Sequence, residues 1–188
     1  MAKALDMSRT PVREAFLRLE ADGLLRLYPQ RGALVVPVSP AEVREVMESR
    51  LLVEQFAAQK VLAHDDAERA RIVQAMRDQL EQQRQAAAAG RLPDFLEADR
   101  AFHTVLLENA RNQIIFALYG SLRDRQIRMI GESAVRDPGR MSAILDEHEE
   151  IAAALAAGDT VMATEAIRNH LTGTALALGL SLQAGIAR

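Results

Sequence analysis

Apolar residues recur every three or four positions along most of the chain after residue 38, a spacing that predicts amphipathic α-helices. Ser39-Pro40 is a typical helix start, and Asn112 and Gly158-Asp159 mark later boundaries. The predicted helices span about 40–62, 65–89, 92–109, 112–134, 137–157 and 160–183. Helices joined by such short links predict an all-α, antiparallel six-helix bundle over residues 39–188.

The first 37 residues carry a different pattern. The segment MAKALDM is predicted to be the end of a helix, and a second helix follows over 8–23, with a buried stripe at Val12, Phe16 and Leu19. The segments LLRLY and ALVVP then predict two short strands around the turn PQRG, where Gly32 permits a tight reversal. Helix, helix and hairpin in this order are typical of a winged helix-turn-helix, with the hairpin as the wing.

Four polar side chains lie on apolar faces of the predicted helices. Asp99 and His103 are four residues apart, so they meet on one helix face, which also carries Phe102. His148 and His170 each continue an apolar stripe in the fifth and sixth helices. An unpaired polar group in a core costs a few kcal/mol, and a shared divalent metal would satisfy all four groups at once.

This set of residues has two interpretations. The histidines are either unrelated core residues with separate hydrogen bonds, or they bind one metal ion together with Asp99. Imidazole and carboxylate suit Zn²⁺, Ni²⁺, Mn²⁺ or Fe²⁺, so the ligand types do not identify the metal. Four such ligands could hold a tetrahedral structural zinc, or they could leave positions of a larger coordination shell open for an effector carboxylate.

Other polar residues are predicted to lie at the surface. His64 lies in the polar segment HDD, where the first helix of the bundle ends. The second helix carries a polar face that we expect to be solvated: Arg77, Gln79, Gln82, Gln83 and Arg84.

Composition narrows the classes of function. The chain has 188 residues and no cysteine, which excludes disulfides, thiolate zinc sites and a cysteine nucleophile. No apolar run reaches the roughly 18 residues that span a bilayer, and the N-terminus lacks the basic start and apolar core of a signal peptide. We therefore expect a cytoplasmic protein with no membrane partner.

Charge is distributed unevenly along the chain. The formal net charge of −3 argues against nonspecific nucleic-acid binding by the whole molecule. Residues 1–31 are net +2, whereas the remainder is net −5. A mildly basic N-terminal part on an acidic body is compatible with a DNA-binding module, although two charges alone do not establish one.

A longer motif makes this prediction specific. Residues 7–16 are MSRTPVREAF, followed by Leu19, Gly23-Leu24 and the segment RGALV at 31–35. The string resembles the second half of the DNA-binding domain of GntR-family transcription regulators, which implies that residues 1–37 bind operator DNA. Because the family has further helices upstream, we expect either a start assigned too far downstream or a truncated domain with impaired DNA binding.

The resemblance also implies particular DNA contacts. The N-terminal end of a recognition helix enters the major groove, where arginine can bond guanine, and a helix N-terminus attracts phosphate. The implied contacts are Ser8, Arg9, Thr10 and Arg13 on the helix, and Arg31 and Gly32 at the tip of the wing. The alternative is that the arginines are ordinary surface residues.

The helical part resembles the FCD domain, the C-terminal ligand domain of FadR-like members of the same family. The matching features are Asp99-x3-His103, Asn112 after the third helix, His148 in DEHEEIAAALAAGD and His170 in AIRNHL. The resemblance implies a homodimer in which this domain binds an effector, often a small carboxylate, and controls DNA affinity. Many members hold a divalent metal through one carboxylate and three imidazoles, here Asp99, His103, His148 and His170.

Three arginines are candidate effector contacts. Arg50 lies among apolar residues of the first bundle helix, at a position that resembles a family effector contact. Its planar guanidinium suits a carboxylate. The alternative is that it extends to the surface or pairs with a helix-borne glutamate. Arg125 and Arg128 in the fourth helix are further candidates.

These features predict a metabolite-responsive transcription regulator. One alternative is a metal-dependent hydrolase or oxygenase, with the glutamates beside His148 as bases. No HExxH motif, paired ExxH motif, glycine-rich phosphate loop or serine elbow supports it. The other alternative is an effector-binding or dimerisation module that is defective in DNA binding.

Overall fold

The structure is a computed structural model that describes residues 7–21, 23–137 and 139–180. The chain divides into two compact units, Met1–Ser39 and Pro40–Arg188. The helix predicted for MAKALDM lies outside the described residues, except for Met7, which is not helical.

The smaller unit combines a helix with a β-hairpin. Its elements are α1 (Arg9–Ala21), β1 (Leu25–Tyr28) and β2 (Gly32–Val35). Helix α1 ends where Gly23 takes a left-handed φ of 74°, which turns the amide of Leu24 back to the carbonyl of Leu19 at 2.9 Å. The order of these elements agrees with the predicted second helix and wing.

The hairpin is antiparallel, with Leu25 opposite Val35 and Tyr28 opposite Gly32. Gly32 has a φ of 98°, as the predicted reversal requires, and Gln30 at the turn also takes a positive φ of 61°. The predicted turn therefore contains a second residue with a positive φ, at a position that is not glycine.

The apolar stripe of α1 is only partly covered. Val12 and Phe16 are half-buried, whereas Leu19 is 38% exposed. The prediction that Leu19 is buried is therefore wrong within the described residues. The physical reason is size, because a small hairpin offers too little surface to cover a whole helix face.

The larger unit is the predicted helical bundle. Its elements are α2 (Pro40–Leu62), α3 (Asp66–Ala88), α4 (Leu92–Asn109), α5 (Gln113–Arg136), α6 (Arg140–Ala157) and α7 (Thr160–Ala177). Side-chain caps fix several starts: Asp65 accepts the amide of Glu68 at 2.8 Å, and Asn112 accepts that of Ile115 at 3.1 Å. The all-α prediction is confirmed, with a small hairpin as the β-structure of the described chain.

The last predicted helix ends earlier than residue 183. Helix α7 stops at Ala177 because Gly179 takes a φ of 82°, and the amide of Leu180 bonds the carbonyl of Ala175 at 3.0 Å. Residues 181–183 lie outside the described part of the chain.

All six helices, α2 to α7, contribute buried residues to the bundle interior. Helix α3 packs on α4 and α6, and α2 packs on α4 and α7. One buried apolar cluster consists of Ala86, Phe95, Ile130 and Ile144. Polar side chains in such an interior are tolerated only when their polar atoms are paired, so each partner of a buried polar group is informative.

Candidate metal centre

The structure brings the predicted polar residues together inside the bundle. Asp99 and His103 lie on α4, His148 on α6 and His170 on α7, and all four are buried. The three imidazole centroids are 4.7 to 5.1 Å apart. One nitrogen of each imidazole lies within 4.8 Å of the others, an arrangement that could hold a metal ion.

His148 is held by a glutamine of α3 and an aromatic ring of α4. Its Nδ1 lies 2.8 Å from Oε1 of Gln83, whose Nε2 donates to Oδ1 of Asp99 at 3.2 Å. The ring of Phe102 stacks on the imidazole, with centroids 4.1 Å apart. Gln83 is fully buried, so the prediction that it belongs to a solvated face is wrong, because its amide links two members of the centre.

His170 is held by a carboxylate of α6. Its Nδ1 lies 2.8 Å from Oε2 of Glu147, which also accepts from Nη2 of Arg140 at 2.7 Å. A carboxylate paired with a guanidinium accepts hydrogen bonds, so Nδ1 of His170 carries the proton. The lone pair of the neutral imidazole is then on Nε2.

Two ring nitrogens of the centre are buried without a hydrogen-bond partner in the described structure, which suits them to binding a metal ion. Nε2 of His148 and Nε2 of His170 are buried and have no hydrogen-bond partner among the described residues. Leaving such atoms unpaired in a core costs free energy. Metal-binding histidines commonly donate their other ring N–H to an amide or carboxylate oxygen, as both do here through Nδ1.

His103 lies between the two members of a buried ion pair on α2. Nε of Arg50 donates to Oε1 of Glu54 at 2.6 Å, and both side chains are fully buried. Nη2 of Arg50 lies 3.2 Å from Nε2 of His103, and Oε2 of Glu54 lies 3.1 Å from its Nδ1. Since guanidinium only donates, Nε2 of His103 carries a lone pair, as in the other two rings.

Burial sets the protonation states of the centre. Loss of water contact, and then repulsion by the neighbouring imidazoles, lowers the pKa of His148 and of His170 well below its usual range. Burial would raise the pKa of Glu54, but the charge of Arg50 and the contact with His103 together outweigh it and hold that pKa well below its usual range. His148 and His170 are therefore neutral imidazoles, the form that binds metals, near an ionised pair.

Asp99 is the predicted ligand that lies least directly in the cluster. Its Oδ1 is 3.7 Å from Nε2 of His148, while its two oxygens accept from Gln83 at 3.2 Å and Gln126 at 3.5 Å. Burial raises the pKa of its carboxyl group, against the opposing effect of His103. The carboxylate thus borders the unpaired nitrogen of His148.

The three candidate effector arginines have different surroundings. Arg50 contacts the centre directly, and its Nη1 is buried with no hydrogen-bond partner in the described part of the chain. Arg128 is bonded to Oε1 of Glu42 at 2.5 Å on α2. Arg125 is half-buried on α5. Arg50 thus contacts a member of the histidine cluster through its Nη2.

The predicted DNA contacts belong to the smaller unit, where the side chains are solvent-exposed. Ser8 precedes α1, and the hairpin turn presents the wing tip. The exposed positions are Ser8, Arg9, Thr10, Arg13, Arg31 and Gly32. Their exposure at a helix start and a hairpin tip is compatible with contact to DNA phosphates and base edges.

Sequence reasoning missed several partners of the centre. Gln83 follows Met76 and Leu80 at helical spacing, a signal that places it on the buried face of α3. Glu54 was indicated only by its position four residues after Arg50. His64, predicted to lie at the surface, is half-buried, and its Nε2 lies 3.2 Å from the carbonyl of Asn109.

Two family models match the chain. Residues 45–173 match the FCD domain, and residues 1–35 match bacterial regulatory proteins of the gntR family. Within the described residues, every helix is too short or too polar to cross a bilayer.

Curated relatives and solved structures agree with these matches. An HTH-type transcriptional regulator of Agrobacterium vitis is 37% identical over 107 residues, which are 57% of this chain and 63% of that protein. The HTH-type transcriptional repressor RspR of Escherichia coli K12 is 31% identical over 169 residues, which are 88% of this chain and 71% of that protein. The crystal structure of a GntR transcriptional regulator from Rhodococcus sp. RHA1 has a TM-score of 0.73 and 27% identity, covering 95% of this chain and 84% of that one.

The chain therefore spans less than two thirds of the Agrobacterium vitis protein. The family is described as bacterial regulatory proteins and these relatives are named as transcriptional regulators, not as enzymes, so the names favour a regulator over the hydrolase or oxygenase alternative. The FCD match covers most of the chain and follows a gntR match at its N-terminus, so the chain belongs to the GntR family of bacterial regulatory proteins and carries an FCD domain.

Proposed function

We propose that this protein is a transcription regulator that binds operator DNA through its N-terminal unit. Its helical unit binds one divalent transition metal and a small carboxylate effector. We further propose that it acts as a homodimer, and that it works in the cytoplasm, where bacterial DNA is. The observation that carries the proposal is the buried cluster of His103, His148 and His170, with unpaired Nε2 atoms on the last two.

Metal binding would satisfy those two atoms. His103, His148 and His170 would provide imidazole ligands, and Asp99 would provide a carboxylate. The donor set suits zinc, nickel, manganese or iron(II). A bound dication would supply a Lewis-acidic anchor for a carboxylate oxygen.

Arg50 supports carboxylate as the effector class. Its guanidinium is fully buried beside His103, and its Nη1 has no hydrogen-bond partner among the described side chains. A carboxylate could accept from this nitrogen in a charge-assisted hydrogen bond. Effector binding at the centre would favour one arrangement of the helices and so change DNA affinity. Arg125 and Arg128 remain candidate contacts with the same chemistry.

Exposed apolar residues support a second copy of the chain as a partner. Leu52 on α2 is 72% exposed and Ile114 on α5 is 82% exposed. Helices α2 and α5 pack against each other within one chain. A contiguous apolar patch is typical of a surface that becomes buried on association, and the proposed homodimer would bury these two side chains.

DNA binding can be tested with fluorescent fragments from the region upstream of the gene. We expect binding that weakens steeply between about 50 and 200 mM salt and that changes when metal and mono- or dicarboxylates are added. Arg13→Ala should weaken binding, whereas Arg44→Ala removes an equally exposed arginine from α2 and should not.

The outcomes separate the alternatives. No salt-sensitive DNA binding under any of these conditions would contradict the regulator proposal. A thermal shift on adding a carboxylate, without any DNA binding, would instead support the module that is defective in DNA binding.

A further inference from the structure

We infer that Arg140 is a positioning residue of the metal centre and that Gly173 provides the space it needs. Arg140 fixes the carboxylate of Glu147 against Nδ1 of His170, so that Nε2 of His170 points into the cluster. This inference rests on the proposed metal site, and one of its tests does not require a bound metal.

Arg140 holds both oxygens of Glu147. Nη1 donates to Oε1 at 2.5 Å and Nη2 donates to Oε2 at 2.7 Å. The two residues are seven positions apart on α6, about two helical turns, so they share one helix face. Because the planar guanidinium binds both oxygens, the carboxylate has one orientation, and in it Oε2 lies 2.8 Å from Nδ1 of His170.

The same guanidinium also contacts the helix that carries His170. Nη2 of Arg140 lies 3.3 Å from the backbone carbonyl of His170 and 3.0 Å from Oγ1 of Thr174. Arg140 is 3% exposed, so these bonds form away from bulk water. One buried side chain therefore fixes both the carboxylate partner and the helical turn of a candidate ligand.

Gly173 allows this close approach. It lies inside α7, and it is not among the glycines that require a positive φ. A Cβ atom at this position would lie 2.6 Å from Oε1 of Glu147 and 2.8 Å from Nη1 of Arg140. A Cβ atom here would make the ion pair shift, so glycine at this position provides space and is not needed for the backbone conformation.

The support of His170 differs from that of His148. Nδ1 of His148 bonds the neutral amide of Gln83, whereas Nδ1 of His170 bonds an ion pair. Substitutions of Arg140 should therefore disturb one ligand and leave the other in place. Loss of such an outer partner typically weakens metal binding about 10- to 100-fold.

The first test measures Co²⁺ affinity by competition with a chelator and records the visible spectrum of bound cobalt. Arg140→Met and Gly173→Ala should each bind Co²⁺ about 10- to 100-fold more weakly with an altered spectrum. Arg77→Met is the control. Arg77 on α3 pairs at 3.0 Å with Glu149, which lies on α6 like Arg140 but outside the centre. It should leave affinity and spectrum unchanged.

The second test uses long-range proton–nitrogen NMR of the histidine rings in protein without added metal. The wild type and Arg77→Met should show His170 protonated on Nδ1. Arg140→Met should show a mixture of ring tautomers at His170 and an unchanged His148. Circular dichroism identifies folded variants, and Arg140→Lys, which keeps the charge without the two-point contact, is used if Arg140→Met does not fold.

The two tests fail in distinguishable ways. An unchanged His170 tautomer in folded Arg140 and Gly173 variants would overturn the positioning role, whatever the metal data. If the wild type binds no Co²⁺, the proposed metal site fails, and the tautomer measurement still decides the role of Arg140. Equal loss of Co²⁺ affinity in Arg77→Met would also overturn the inference, because the effect would then be general.

Discussion

Charged and polar side chains occupy two regions of the helical unit, and their partners differ in kind. At the surface, pairs such as Arg91–Asp94 at the start of α4 and Arg71–Glu68 in α3 join residues three positions apart in the chain. In the centre the partners are buried or, for Glu147, half-buried: Gln83 with His148 and Glu147 with His170 come from different helices, and Arg50 with Glu54 from α2.

The difference lies in the cost of removing one partner. A surface charge that loses its partner is hydrated again, so exposed pairs contribute little to stability. A buried polar group that loses its partner has no water to replace it. The same type of substitution should therefore reduce stability much more in the centre than at the surface.

The largest effect is expected at the buried pair of Arg50 and Glu54. Arg50→Ala leaves the buried Glu54 carboxylate without its guanidinium partner, and it should reduce the free energy of unfolding by about 3–5 kcal/mol. The measurement is urea unfolding monitored by circular dichroism. Arg91→Ala, which breaks an exposed pair, should cost at most about 1 kcal/mol.

The double variant Arg50→Met/Glu54→Leu sharpens this comparison. Replacing both charges with apolar side chains should recover most of the lost stability. A loss below about 1 kcal/mol for Arg50→Ala alone would mean that the buried pair behaves like a surface pair, which would contradict the comparison.

An intermediate effect is expected at Gln83. Gln83→Leu removes the partner of His148 Nδ1 and of Asp99 Oδ1, and it should destabilise the protein by about 1–3 kcal/mol. Gln82→Leu changes the neighbouring exposed residue in the same way and should stay within about 0.5 kcal/mol of the wild type. If the two variants lose the same stability in thermal and urea unfolding, Gln83 behaves as part of a solvated face, as the sequence predicted, and the assigned contacts are contradicted.

The smallest effect is expected at the exposed pair of Glu68 and Arg71. The hydrogen bonds that Arg71 donates to Glu68 lower the pKa of this carboxyl group from 4.5 to about 2. A carboxyl group with a lowered folded-state pKa contributes stability above its unfolded-state pKa and loses it as pH falls through the folded-state value. Glu68→Gln should therefore be slightly less stable than the wild type at neutral pH, and the difference should vanish towards pH 2. A difference that grows as the pH falls would contradict this assignment.

Periodicity and spacing predicted the bundle and the members of its centre. Asp99 and His103 are indicated by a four-residue spacing on an apolar face, and His148 and His170 by their apolar stripes. These are properties of single helices, which local sequence encodes. The caps at Asp65 and Asn112 are local in the same sense.

The remaining parts of the centre depend on contacts between helices, which spacing does not encode. The orientation of α6 against α7 determines which glutamate contacts His170. The small size of Gly173 matters because Arg140 and Glu147 lie against it, and the sequence does not show that contact. Similarly, Leu19 continues the stripe of α1, and its exposure depends on what packs against that helix.

The central claim is that the histidine cluster binds a metal, and elemental analysis of purified protein tests it most directly. The wild type, incubated with zinc, nickel, manganese or iron(II) and then dialysed, should retain about one metal ion per chain. His148→Ala should lose most of it, whereas His64→Ala, which removes a half-buried histidine bonded to Asn109, should retain it. Equal metal content in His148→Ala and His64→Ala, or no retained metal in the wild type, would contradict the site.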